Sequence, residues 1–167
     1  MSPTAEILLV LLLILVNALF VMSELAIVSA RKVRLQQLAE RGDQKARVAL
    51  ELASSPNQFL ATVQVGITLL AILSGAFGES VIAKRLVPIF SSIPFLAQYK
   101  DAAASVIAVL IITYLTLIIG ELVPKRVALN HPEPIASIVA IPMRMLATIG
   151  SPIVHLLSRC RIANFRH

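Results

Sequence analysis

The sequence predicts an all-helical membrane protein with three membrane-spanning helices and one helix lying at the cytoplasmic membrane surface. Of its 167 residues, 57% are hydrophobic and 14% are charged, and the mean hydropathy is +0.86. Ordinary soluble domains are about 45–50% apolar and about 25% charged. A chain of this size has too little interior to hide so much apolar surface from water, so lipid is the expected solvent.

Three apolar runs have the length that a membrane crossing requires. The first covers residues 7–30; as a helix it would extend about 36 Å, against about 30 Å of hydrocarbon. The others, Phe59–Phe77 and Ala102–Gly120, contain no charged side chain. The predicted spans are therefore about 5–30, 57–79 and 102–123. A secretory signal peptide is the alternative for the first run, but no Lys or Arg precedes it and no cleavage site stands out.

A fourth apolar segment, residues 134–158, is interrupted by Arg144, Pro142 and Pro152. A central arginine costs about 2.5–3.5 kcal/mol on membrane-insertion scales, and proline weakens a straight helix. We therefore expect a broken juxtamembrane helix at 132–158 that lies along the membrane interface. A fourth span is the alternative.

Residues 31–53 mix apolar with charged side chains. The apolar positions among the Arg, Lys, Gln and Glu residues are Leu35, Leu38, Val48 and Leu52. This mixture predicts one or two amphipathic cytoplasmic helices, broken near Gly42. A solvated loop is the alternative.

The basic residues are distributed unevenly between the two sides of the membrane. Twelve of the 15 Lys and Arg residues lie between the first two spans or after the third, and three lie between the second and third. Cytoplasmic loops carry the excess of such residues. We therefore expect a multi-pass protein of the inner (plasma) membrane, with its N-terminus outside and its C-terminus in the cytoplasm. The net charge of +6 indicates lipid rather than nucleic acid as partner, and the single Cys160 cannot form a disulfide framework.

Polar residues within the spans indicate where the function lies, because ionisable groups there usually face a bundle interior or a cavity. Glu24, Glu121 and the group Gln64, Gly66 and Thr68 fall at a similar depth in the cytoplasmic half of the membrane. Two ionised carboxylates at one level repel each other unless one takes a proton or a cation lies between them. A shared cation site between the helices is therefore predicted.

The available ligand atoms indicate which cation this site would take. The oxygen-bearing candidates are Asn17, Ser23, Glu24, Thr68, Ser74 and Glu121. Oxygen donors favour a hard cation such as magnesium, calcium or manganese. Zinc or copper is poorly supported, because no Cys lies in a span and both His131 and His155 follow the last one.

Gly120 is the best candidate for a local break within a span. Pro124 has no N–H, so the carbonyl of Gly120 loses its helical partner and, together with the Glu121 carboxylate, becomes available to a cation. Gly66 and Gly75 are further candidates for such breaks. Close helix packing is the alternative explanation for these glycines.

The polar residues have ordinary structural explanations as well. Asn17, Ser23 and Gln64 could form interhelical hydrogen bonds. Glu24 could extend towards the membrane interface. Glu121 could pair with Lys125, one turn later on the same helix.

Four stretches resemble the transmembrane domain of the CNNM/CorC family, whose bacterial members are often described as magnesium and cobalt efflux or haemolysin-like proteins. The resemblance covers nearly the whole chain, and its most specific motif is Gly-Glu-x-x-Pro-Lys after the third apolar span. The stretches are residues 17–31, 64–69, 74–79 and 120–125.

This resemblance implies a homodimer and sodium-coupled magnesium transport, with Mg²⁺ as the bound substrate ion and Na⁺ as the coupling ion. It also implies CBS-pair and CorC-type cytoplasmic domains beyond a membrane domain at 1–158, with 159–167 beginning the linker. The expected metal ligands are Ser23, Ser74, Gly75, Gly120 and Glu121. The secondary or coupling-ion candidates are Asn17, Glu24, Gln64 and Thr68, and the structural breaks are Gly66, Pro124 and Lys125.

The match to the family is incomplete at the expected site. Ser23, Glu24, Gly120 and Glu121 agree with the family pattern. Val21 and Ile67 stand where many members carry a serine and an asparagine that are associated with the magnesium site. The resemblance therefore supports the predicted fold more strongly than it supports magnesium as the bound ion.

The sequence thus predicts the membrane domain of a divalent-cation exporter that holds a dehydrated cation, with magnesium as the first candidate, between its helices. The alternative is a non-transporting membrane anchor or ion sensor that controls cytoplasmic domains. An intramembrane enzyme is not supported, because the spans contain no His-Glu-x-x-His, Gly-x-Ser-x-Gly or paired-aspartate arrangement.

Overall fold

The computed structural model describes residues 2–95 and 97–163, with side chains described for 2–57, 59–95 and 97–149. This part of the chain is helical and contains no strand, which confirms the predicted fold class. The α-helices are α1 (Pro3–Ser29), α2 (Lys32–Glu40), α3 (Gln44–Ser54), α4 (Pro56–Ser91), α5 (Lys100–Leu117), α6 (Val123–Asn130) and α7 (Pro132–Ala163). A 3₁₀ turn, Ala97–Tyr99, precedes α5, and a π-helical turn, Ile118–Leu122, joins α5 to α6.

Within the residues that the structure describes, three helical segments are long and apolar enough to cross a membrane. They are Pro3–Ser29, Phe59–Ser91 and Ala97–Asn130. Only 22%, 17% and 17% of their most apolar windows are buried within the protein, and leucines such as Leu8 and Leu110 are about two-thirds exposed, at 65% and 64%. In water such exposure would be costly, whereas in a bilayer these side chains contact lipid, so the protein is a membrane protein.

The helix α4 continues beyond the span expected at 57–79, through Lys84 and Arg85, to Ser91. Gly78 does not end the helix but lets α5 approach, because a Cβ at this position would collide with the side chain of Ile112. At the far end of α4, the Arg85 guanidinium Nη2 donates to the carbonyl of Pro3 at 2.8 Å. This bond ties the end of α4 to the first residue of α1.

The described chain divides into two compact units, and α1 and α4 contribute to both. The first unit holds the part of α1 up to Leu19 together with Ile67–Pro124. Its apolar core is formed by Val10, Ile14, Val81 and Ile112, from α1, α4 and α5. The second unit holds Phe20–Gly66 and the residues from Lys125 onward.

In the second unit, α3 packs against both α2 and α7. Both α3 and α7 bury small side chains at a spacing of one turn, which permits close contact between helices: Ala46, Ala49, Ala53, Ala136, Ala140. Gly42, at a φ of +93°, makes the left-handed turn that separates α2 from α3. Asp43 then caps α3, its Oδ1 accepting from the backbone N–H groups of Lys45 at 2.9 Å and Ala46 at 3.2 Å.

The helix α7 continues through Pro142 and Arg144 as one element, so the expectation of a broken helix was wrong. This helix packs along α3. The Arg144 guanidinium Nη1 lies 3.1 Å from the Glu51 carboxylate Oε2 of α3. The charge that interrupts the apolar run therefore has a partner in the adjacent helix.

Candidate cation site

The third membrane-spanning segment changes its helical geometry where the sequence carries Gly120, Glu121 and Pro124. Residues Ile118–Leu122 form a π-helical turn, in which the N–H of Val123 donates to the carbonyl of Ile118. Pro124 has no N–H to donate back to Gly120, so an α-helical turn there would lack a hydrogen bond. Such π turns inside α-helices occur often at functional sites.

The carbonyl of Gly120 accepts a hydrogen bond from the Asn17 side-chain Nδ2 of α1 at 3.3 Å. The sequence predicted that this carbonyl would be freed from the helix, and the structure assigns it a protein partner in the first unit. A Cβ on residue 120 would lie 3.2 Å from the same Nδ2. A glycine therefore allows the approach of α1 to the π turn.

Asn17 is 3% exposed, and its Oδ1 is buried with no hydrogen-bond partner among the described residues. Ser74 on α4 is fully buried, and its Oγ likewise lacks a partner there. Buried polar atoms in proteins are nearly always paired. The first unit therefore contains two buried oxygens whose hydrogen-bonding capacity is unused.

A cavity of about 210 Å³ lies between α4, α5 and the π turn, within the first unit. We call it the Glu121 cavity. Its lining contains one acidic residue and two threonines among apolar residues. Gly75 leaves its side open, since no atom lies within 4 Å of the position a Cβ would take. The lining residues are Ala71, Gly75, Ile112, Thr113, Thr116, Leu117 and Glu121.

The threonines of this cavity were missed by the sequence analysis, because Ala102–Gly120 was treated as a uniformly apolar run. Thr113 and Thr116 are three residues apart, and Glu121 follows five residues later. Residues three or four apart share a helix face. The spacing of the two threonines could have identified them as one helix face, but a separation of five residues did not indicate that Glu121 would line the same cavity.

The remaining predicted site residues have different surroundings. Thr68, in the first unit, is exposed. In the second unit Ser23 is fully buried, Glu24 and Lys125 are half-buried and Gln64 is exposed. The structure therefore brings Gly75 and Glu121 to one cavity and joins Asn17 to Gly120.

Gly66 does not break a helix. α4 runs through it without interruption, so the structural break predicted there was wrong. A Cβ at this position would collide with the ring of Phe20, which lies against the glycine in the second unit. Gly66 is therefore required for close packing between α1 and α4.

The described residues contain no group of three His, Cys, Asp or Glu side chains that could hold a metal ion. A cation bound in the Glu121 cavity would therefore draw most of its ligands from hydroxyls, backbone carbonyls and water. Val21 is 3% exposed and apolar, and Ile67 is half-buried. Neither residue has a polar side chain that could act as a ligand, unlike the serine and asparagine expected at these two positions from the resemblance.

Three apolar spanning segments, with a π turn at Gly120–Glu121 in the third, define a helical membrane domain. The family model of the Cyclin M transmembrane N-terminal domain (CNNM) matches residues 7–165. The chain belongs to this family.

Several known proteins are similar to the chain over most of its length. A UPF0053 protein of Synechocystis is 51% identical over 93% of the chain, and the UPF0053 protein YhdP of Bacillus subtilis is 34% identical over 92%. The polyamine export protein of Haemophilus influenzae is 33% identical over 85%. The chain spans only about a third of these relatives, namely 35%, 34% and 33% of their lengths.

Proposed function

We propose that the chain is the membrane domain of a cation exporter, and that the transported cation binds in the Glu121 cavity. The observation that carries this proposal is that Glu121 lines one cavity with Thr113 and Thr116, at a π turn inside a membrane-spanning segment. Polar groups at such a depth commonly mark ion pathways. The relative named for polyamine export supports export as the activity.

Magnesium is the first candidate for the cation. Mg²⁺ takes six oxygen ligands, usually keeps several waters and binds through one or two carboxylates. One carboxylate and two hydroxyls in a cavity of about 210 Å³ suit an ion that retains part of its water shell. The fully dehydrated ion expected from the sequence would need more protein ligands than these three side chains supply. Sodium coupling, a homodimer and a cytoplasmic C-terminus remain parts of the proposal.

A polyamine is the second candidate, and two observations favour it. The Haemophilus relative bears that name, and Val21 and Ile67 replace polar residues that the family associates with magnesium. A cavity with apolar walls and one carboxylate also suits an alkylammonium group, because the charge meets Glu121 while the carbon chain contacts Ala71 and Leu117.

Flux into liposomes tests the proposal. The purified chain would be reconstituted with a magnesium-sensitive dye inside the vesicles, and radiolabelled putrescine would be used in parallel. Glu121→Gln should reduce flux of the transported cation at least about tenfold, since a cation loses its only carboxylate partner in the cavity. Glu79→Gln is the matched control, because Glu79 lies in the same unit and accepts a hydrogen bond from Ser105 outside the cavity.

The cation that moves identifies the substrate. Flux of magnesium alone supports the first candidate, and flux of putrescine alone supports the second. If neither cation crosses the membrane with the wild-type chain, the anchor or sensor function is favoured. If Glu121→Gln transports as well as the wild type, the Glu121 cavity is not the transport site.

A further inference from the structure

We infer that a groove in the second unit, between the α2–α3 turn and the start of α7, binds a phosphate group. The groove has a volume of about 640 Å³. All of its lining residues belong to α2, α3, the turn between them and the first turns of α7. None of these residues lines the Glu121 cavity.

The basic side chains in this groove outnumber the acidic ones, and not all of them have an acidic partner. The groove is lined by two acidic residues, Asp43 and Glu133, and by three basic ones. The basic residues are Arg34, Arg41 and Lys45. Asp43 Oδ1 already accepts two backbone hydrogen bonds at the start of α3, and Glu133 Oε2 lies 4.0 Å from Arg34 Nη1. Within the described residues, Arg41 and Lys45 have no acidic partner, so two cationic groups are available to an anion.

A buried hydroxyl provides an independent observation. Ser137, on α7, lines the groove and is only 7% exposed, and its Oγ has no hydrogen-bond partner among the described residues. A buried hydroxyl without a hydrogen-bond partner destabilises the fold. The groove wall therefore contains one hydroxyl whose hydrogen-bonding capacity is unused among the described residues.

The donors fit a phosphate group in particular. A guanidinium presents two parallel N–H groups to two phosphate oxygens, and an ammonium and a hydroxyl can take the remaining oxygens. A phosphate of this kind occurs both on the headgroup of phosphatidic acid and as a free phosphate compound. The chemistry of recognition is the same for both sources.

Thermal unfolding of the purified chain in an uncharged detergent distinguishes the two sources. Inorganic phosphate would be titrated against sodium chloride at equal ionic strength. Dihexanoylphosphatidic acid would be compared with dihexanoylphosphatidylcholine, whose phosphate is neutralised by choline. Stabilisation by phosphate identifies a site for the free group, and stabilisation by phosphatidic acid alone identifies a lipid headgroup site.

Variants of the groove residues test whether the stabilisation arises from binding in this groove. Arg41→Gln should weaken the apparent affinity about tenfold or more, because a charge-assisted bond is lost, and Ser137→Ala should weaken it less. Lys32→Gln is the matched control, because Lys32 is an exposed cation on α2 that does not line the groove. Circular dichroism confirms that each variant remains folded. Absence of stabilisation by both probes, or equal weakening by Lys32→Gln and Arg41→Gln, overturns the proposal.

Discussion

The side-chain amide of Asn17 on α1 donates to the backbone carbonyl of Gly120 in the π turn, across 3.3 Å. The bond joins two residues that are 103 positions apart in the chain. It satisfies a carbonyl that Pro124 leaves without a helical partner. The irregular turn is thus held by α1 as well as by its own backbone bond from Val123 to Ile118.

Replacing Asn17 by Ala should lower the free energy of unfolding by about 1 kcal/mol, since interhelical hydrogen bonds in membranes average about 0.6 and reach about 1.7 kcal/mol. Titration of the reconstituted protein with a denaturing detergent measures this difference. Asn57→Ala is the control, because Asn57 is exposed. Equal stability of Asn17→Ala and the wild type would show that the bond contributes nothing.

Two glycines of α4 should respond oppositely to Ala. Gly78→Ala should destabilise the fold by about 1–3 kcal/mol, because the added methyl collides with Ile112. Gly75→Ala should preserve or slightly raise stability, because the space around it is open and Ala is the better helix former. Partial rescue of Gly78→Ala by Ile112→Val would identify the collision as the cause, and similar melting of both single variants would contradict it.

The Glu51–Arg144 ion pair should contribute modestly to the free energy of unfolding. Both side chains are about half exposed, at 52% and 57%, and exposed pairs are typically worth about 0.2–1 kcal/mol. A double-mutant cycle with Glu51→Gln and Arg144→Gln measures the coupling. We expect it to shrink as salt is raised from 0.05 to about 1 M, because ions screen exposed charges. A coupling that does not change with salt would show that packing, not charge, joins α3 to α7 here.

Asp43→Ala should cost about 0.5–2 kcal/mol of stability, because α3 loses the side chain that caps two of its N–H groups. Asp43→Ser should retain most of that stability, since a serine hydroxyl also caps helices. Thermal unfolding followed by circular dichroism compares them. If serine were no better than alanine, the capping interaction would not be what Asp43 provides.

The spans were predictable because lipid imposes a simple rule on sequence: a spanning helix must be long and apolar. The irregularity near Gly120 was also predictable, since the absence of an N–H at Pro124 can be read directly from the residue type. The partner of the Gly120 carbonyl was not predictable. Whether Asn17 meets it depends on how α1 and the third span are rotated, and that rotation is set by packing around Val10 and Ile14.

The misjudged elements share a physical cause. Arg144 and Pro142 suggested a broken helix. The sequence does not show that Glu51, 93 positions away, lies beside the arginine. Gly66 suggested a break. The sequence does not show that the Phe20 ring, from another helix, packs against this glycine. In each case the explanation is a contact between residues distant in sequence, which composition and spacing do not contain.

The π turn also halves the rotation of the buried positions around the axis of the third span. Ala104, Ala108, Ile112, Gly120 and Pro124 are all buried. At 3.6 residues per turn, each step of four rotates a helix face by about 40°, so five steps would carry it about 200° around the axis. One extra residue in the wide turn turns the face back by about 100°. Without that insertion, Pro124 would point towards the opposite side of the helix from Ala104.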